Sequence, residues 1–170
     1  MLEVFSRLGR FLRQFSHDPV QKDPGLEEWN REHFLSFGQL MDNEHIHNPW
    51  FTPDNVRCAV GALSAMLDRE VLQRWLAPYA LSPVPHENRR KVGLVMAGNI
   101  PMVGFHDLLC VLLSGHSALI RPSSKDDRLI RKIGMMLGEL EPALRERIRF
   151  SGDRIGQVDA VIATDRKSVV

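Results

Sequence analysis

The stretch KVGLVMAGNIPMVGFHDLLCVLLSGHSALIRPSS, Lys91 to Ser124, decides how this chain folds. Val92, Leu94, Val95, Met96 and Ala97 make a near-continuous apolar run, the pattern of a parallel strand covered on both faces rather than of a strand with one wet side. That run stops at Gly98-Asn99-Ile100-Pro101. Pro101 to Ser114 reads as a helix, and Ala118 to Arg121 as a second strand closing on Pro122-Ser123-Ser124. Parallel neighbours need a crossover of this kind, so the stretch predicts a β-α-β unit.

Working outward toward the C-terminus, Leu129, Ile133, Met136 and Leu140 recur at helical spacing and predict a helix over 125–140. Short strands follow at Ile148 to Phe150 and at Val158 to Ala163. The order is that of an open α/β sheet. Upstream the style is different. Phe5, Leu8, Leu12 and Phe15 form one helical stripe, and Val56, Val60, Leu63 and Leu67 form another, introduced by Thr52 as N-cap with Pro53 at the first helical position. Asp68 is placed to cap a further helix carrying Val71, Leu72, Trp75 and Leu76. Between these, residues 18–52 are polar and broken by prolines, which reads as connection around a short helical stretch from Leu26 to Met41.

The domain reading is therefore a mostly helical region over 1–88 and an open α/β unit over 89–164. The final Asp165-Arg166-Lys167-Ser168-Val169-Val170 looks like translated sequencing adapter and is expected to be a non-native tail, which makes the chain a fragment.

Composition narrows the classes of function. With 44% hydrophobic and 25% charged residues the chain has the make-up of an ordinary globular domain. Its 22 basic against 21 acidic residues leave a formal charge of +1, which lacks the footprint of nucleic-acid binding. Cys58 and Cys110 fit neither a disulfide framework nor a zinc site and, with no export signal at the start, point to the cytoplasm. No apolar run approaches a membrane span. His45 and His47 stand at H-x-H spacing without an evident third ligand, so a metal site is not expected.

Taken together, VGLVMAGNIPMVGFHDLL and ALIRPSSKD, supported by FTPDNVRCAVGALSAML and VDAVIAT, resemble the acyl-CoA reductase family related to the fatty-acid reductase of bacterial bioluminescence, a branch of the aldehyde dehydrogenase superfamily. The likeness runs from about Trp50 to Thr164. It implies an enzyme that converts an acyl thioester such as acyl-CoA, with NADPH, to a fatty aldehyde through an acyl group on a catalytic cysteine. It also implies that 89–164 is the first half of an aldehyde-dehydrogenase-like NADP-binding domain; a homo-oligomer of the full-length protein is compatible with the sequence, which does not fix the oligomeric state.

By that resemblance Met96, Ala97 and Gly98 line the cofactor, and the Asn99 amide polarises the reacting carbonyl. Hydride addition builds negative charge on that oxygen, and one preorganised donor is worth about 3 to 4 kcal/mol there. The plainer role for Asn99 is to cap the following helix. Arg121-Pro122-Ser123-Ser124 falls where many relatives carry Lys-Pro-Ser-Glu. Arg121 and Ser123 then border the adenosine ribose, and Ser124 in place of a carboxylate, beside Lys125 and Arg128, favours NADPH over NADH. The plainer role for Ser124 is again an N-cap.

The nucleophile is missing. Cys110 sits within Leu108-Leu109-Cys110-Val111-Leu112-Leu113, where a buried thiol behaves as a small hydrophobe, and Cys58 lies outside the α/β stretch. The catalytic cysteine is expected further along a longer chain, and the fragment is expected to be inactive. His106 and Asp107 open the helix after Asn99, and Asp107 has a ready role against the helix dipole. Two alternatives remain at this stage: an aldehyde dehydrogenase oxidising aldehydes with NAD, and a non-catalytic nucleotide-binding module.

Overall fold

A computed structural model describes residues 1–17, 22–152 and 154–164; the tail over 165–170 lies outside the described residues. The chain divides into two units, Met1–Tyr79 and Ala80–Val170.

The first unit is helical: α1 (Leu2–Arg13), α2 (Glu27–Asn43), α3 (Pro53–Met66) and α4 (Arg69–Leu76). The stripe predicted on α1 is its buried face, since Phe5, Leu8, Phe11 and Leu12 are fully enclosed. Each such side chain contributes about 1.5 to 3 kcal/mol by leaving water. Phe15 is only half-buried; its ring lies 4.6 Å from that of Phe34 and 5.1 Å from that of Phe37. Gly9 lets α1 come close to Leu67, because a Cβ there would stand 2.7 Å from the leucine Cβ.

Residues 22–52 are more regular than their polar composition suggests. α2 runs for 17 residues and buries Trp29, His33, Phe37 and Met41. The buried amides of Gln14 and Asn30 exchange two hydrogen bonds, 3.0 and 2.9 Å, which ties α1 to α2. The helical stretch expected from Leu26 to Met41 is this helix, and its buried positions 29, 33, 37 and 41 recur every fourth residue. Both capping expectations hold: Thr52 Oγ1 accepts from the Asn55 N–H, and Asp68 Oδ1 accepts from the N–H groups of Glu70 and Val71.

The second unit contains β1 (Lys91–Val95), α5 (Phe105–Leu113), β2 (Ser117–Arg121), α6 (Arg128–Leu140), α7 (Ala143–Arg147), β3 (Ile148–Phe150) and β4 (Ala160–Ala163). These strands form one parallel sheet in the order β3-β2-β1-β4. The register sets Lys91 beside Ser117 and Val95 beside Arg121, with Val95 beside Ala163 on its other side. The central place expected for β1 is its place in the sheet. α5 supplies buried Phe105, Leu108, Leu109, Val111 and Leu112; α6 supplies Leu129, Ile130, Ile133, Met136 and Leu137. At Gly134 α6 lies almost on β3, with the Phe150 ring 3.0 Å from where a Cβ would be. β4 is exposed along its whole length, including Val161 and Ile162.

Several boundaries move, and β1 ends at Val95 rather than Ala97. α5 begins at Phe105 rather than Pro101, because 101–104 form a turn in which Met102 takes φ = 57°, a left-handed conformation that breaks helical continuity. α6 begins at Arg128 rather than Lys125, since the 123–126 segment closes on itself through the Asp126 N–H and the Ser123 carbonyl at 3.0 Å. The last strand is shorter than expected, starting at Ala160. Among the described residues no helix is long and apolar enough to cross a membrane.

Candidate functional site

In a sheet of order 3-2-1-4 the chain leaves β1 toward one side, adds β2 and β3, then returns to place β4 on the other side. Strand order thus reverses between β1 and β4, and in open α/β sheets ligands bind outside the carboxyl ends of strands at such a reversal. The ladder extends past the strand ends: the Met96 N–H donates to the Arg121 carbonyl at 3.0 Å, and the Thr164 N–H donates to the Val95 carbonyl at 3.0 Å.

The loops after β1 and β2 meet directly. A Cβ added at Gly98 would lie 2.3 Å from Ser123 Oγ, 2.7 Å from Ser123 Cβ and 3.1 Å from Lys125 Cβ. Only glycine permits this approach, so the backbone at 98 runs against the serine corner and carries Asn99, which is exposed, to its rim. Ala97 is half-buried and the Met96 side chain is buried, filling the notch at Gly104 where a Cβ would stand 2.3 Å from its Cγ. What Met96 offers a ligand is therefore backbone. Arg121 and Ser124 are exposed, and Ser123 is half-buried with its Oγ accepting from the Lys125 N–H at 3.3 Å.

Neither plain capping role survives. The residue before α5 is Gly104 and the residue before α6 is Asp127, so Asn99 and Ser124 both lie outside the helix starts they were matched to. The displaced starts of α5 and α6 are the reason. Asp127 does not cap through its side chain either; its carboxylate accepts from Arg131 Nε at 3.2 Å, one helical turn on.

Two tethers were not foreseen. Buried Asp126 accepts from the Met102 N–H at 2.6 Å, fixing the left-handed turn after β1 to the turn after β2. Removing such a buried acceptor costs about 1 to 3 kcal/mol. Thr164 Oγ1 donates to Asp107 Oδ2 at 2.9 Å, which joins the loop after β4 to the first turn of α5. Asp107 thus has a partner beyond its dipole role. No local motif signals either contact, since the partners are 24 and 57 positions apart.

The cysteines behave as the chemistry requires of bystanders. Cys110 is half-buried rather than buried, with Sγ 3.8 Å from His106 Nδ1. Burial, then the charge of Asp107, pushes its thiol pKa up, so it stays protonated at neutral pH. Cys58 is exposed on α3 in the helical unit. The His45 ring is engaged locally, Nδ1 lying 2.8 Å from the Asp42 carbonyl.

The rim at the carboxyl ends of β1, β2 and β4 thus brings together Gly98, Asn99, Arg121, Ser123 and Ser124, with Thr164 and Asp107 on its β4 side. Such a rim suits an anionic, elongated ligand: the backbone approaches closely at Gly98, Arg121 supplies charge, and Asn99 supplies an amide. No family model, curated protein or solved structure matches the chain.

Proposed function

We propose that the α/β unit is the opening part of the NADPH-binding domain of an aldehyde-dehydrogenase-like acyl-CoA reductase acting in the cytoplasm. In this reading acyl transfer to a cysteine outside this chain is followed by hydride delivery from NADPH and release of a fatty aldehyde. Asn99 donates an N–H to the carbonyl oxygen as charge develops on it. Arg121 and Ser123 border the adenosine ribose, and Ser124 leaves room for a 2′-phosphate that a carboxylate would repel.

The observation that carries the reading is the contact of Gly98 with Ser123. It sets the Asn99 loop and the Arg121 corner on one rim, as a single dinucleotide spanning both requires. Strand order supports it, because the rim adjoins the reversal between β1 and β4.

Calorimetric titration of the chain with NADPH and NADH tests the reading. NADPH is expected to bind more tightly, and Arg121→Gln to weaken it about tenfold or more. Asn99→Ala is expected to leave cofactor affinity nearly intact, because its amide serves the carbonyl. Tighter binding of NADH, or no binding of either, would overturn it.

A further inference from the structure

The opposite edge of the sheet, where the strands begin, holds positive charge that a dinucleotide at the other edge leaves unused. Arg89, Arg90 and Lys91 lead into β1, and Arg147 and Arg149 flank the start of β3; together they line a cavity of about 340 Å³. Among the described residues Glu146 is the one carboxylate in its wall.

The charges there are poorly neutralised. Arg90 lies 3.7 Å from Asp159, but among the described residues no carboxylate pairs with Arg89, Arg147 or Arg149. Arg147 is buried at 7% exposure and held in place by main-chain oxygens alone: Nη2 donates to the Leu112 and His116 carbonyls at 2.6 and 2.7 Å, and Nε donates to the His116 carbonyl at 3.0 Å. Arg89 Nε is buried, and no acceptor for it lies among the described residues. Burial, and then the neighbouring Arg89 charge, hold the Arg147 guanidinium below its ordinary pKa.

Structures avoid gathering like charges out of water without a counterion. A concave wall of one sign focuses its field on the space it encloses. Guanidinium groups present forked donors that match tetrahedral oxyanions, which points to phosphate over a simple halide. We propose that this cavity is an anion site for a phosphate-class ligand, held by Arg89 and Arg149, with the fixed charge of Arg147, whose Nε and Nη2 are already taken by carbonyls, beneath it. It stands at the amino ends of the strands and is independent of the dinucleotide reading.

Arginine Nε–Hε spectra of the ¹⁵N-labelled chain, at ionic strength held constant with sodium chloride, read the site directly. Inorganic phosphate, pyrophosphate and adenosine monophosphate are the probes. Saturable movement of the Arg89 and Arg147 signals with pyrophosphate is expected, and Arg89→Gln and Arg149→Gln should each weaken binding about tenfold. Arg74→Gln, on α4 of the helical unit, removes the same charge elsewhere and should change nothing. Arg149 is exposed, so its variant keeps the test sound if Arg89→Gln disturbs folding. Tighter binding of adenosine monophosphate than of phosphate identifies an organic phosphate as the source, and equal binding identifies the free anion; either supports the site. Movement that never saturates, that chloride reproduces, or that Arg149→Gln weakens no more than Arg74→Gln does, overturns it.

Discussion

Gly98 is the residue on which most depends. Adding one methyl group there forces it into both the Oγ and the Cβ of Ser123; the hydroxyl can rotate away, but the Cβ cannot without moving backbone. Gly98→Ala is therefore expected to destabilise the chain by about 1 to 3 kcal/mol, as overpacking does. Thermal denaturation should show a lowered midpoint, with partial recovery in the double variant Gly98→Ala, Ser123→Gly. Equal melting of Gly98→Ala and the parent would mean that the two loops do not meet. At the same scale, the thiols should separate under iodoacetamide with mass-spectrometric readout. Exposed Cys58 reacts first, whereas Cys110, its thiol pKa raised by burial and Asp107, stays protonated near pH 7 and gains reactivity only as pH rises beyond the ordinary thiol range. Comparable labelling of both at pH 7 would contradict that environment.

At the scale of elements, caps and tethers decide where helices start. Asp68 satisfies two otherwise unpaired N–H groups at the head of α4, and Thr52 satisfies one at the head of α3. Asp68→Ala is expected to cost about 1 kcal/mol and Thr52→Ala a similar amount or less, read as lost helical circular dichroism at a fixed temperature near the midpoint. Asp68→Asn should recover most of the loss, which separates a capping role from a general effect of charge. These two starts were legible because a cap acts on the two or three residues that follow it. The starts of α5 and α6 were not: Asp126 reaches back to Met102 and holds 101–104 out of α5, while the turn closed between the Ser123 carbonyl and the Asp126 N–H delays α6. Long-range hydrogen bonds leave no periodic trace in a sequence. α2 was legible as a helix, but its partners were not, since they are the Phe11 ring of α1 and the Gln14 amide just beyond it.

At the scale of the molecule, the chain is two units joined near Tyr79, beside a segment carrying Pro78, Pro83 and Pro85. Tyr79 and Leu81 are exposed large apolar residues in that segment. Limited chymotrypsin digestion should therefore cut first at Tyr79 or Leu81 and release fragments corresponding to the two units. Early cuts inside α1 or β1, whose apolar residues are buried, would argue against this division. That a helical region precedes a parallel sheet was readable from the switch between spacing by threes and fours and the dense run at Val92 to Ala97. The strand order was not.

The sequence by itself determined the types of element and the main core-facing stripes, because periodicity of 3.6 or a continuous apolar run is imposed by local backbone geometry; it overstated burial at Val71, which is exposed, and at Phe15, Leu63, Trp75, Leu76 and Cys110, which are half-buried. It also named the residues of the candidate rim, Asn99, Arg121 and Ser123 among them. Only the tertiary structure decided that Gly98 presses on Ser123, that Asp126 ties the loop after β2 to the loop after β1 and Thr164 ties the end of β4 to α5, and that arginines gather at the other edge. Those are matters of which distant segments share a small volume, and that depends on the packing of the whole sheet rather than on any one stretch of chain.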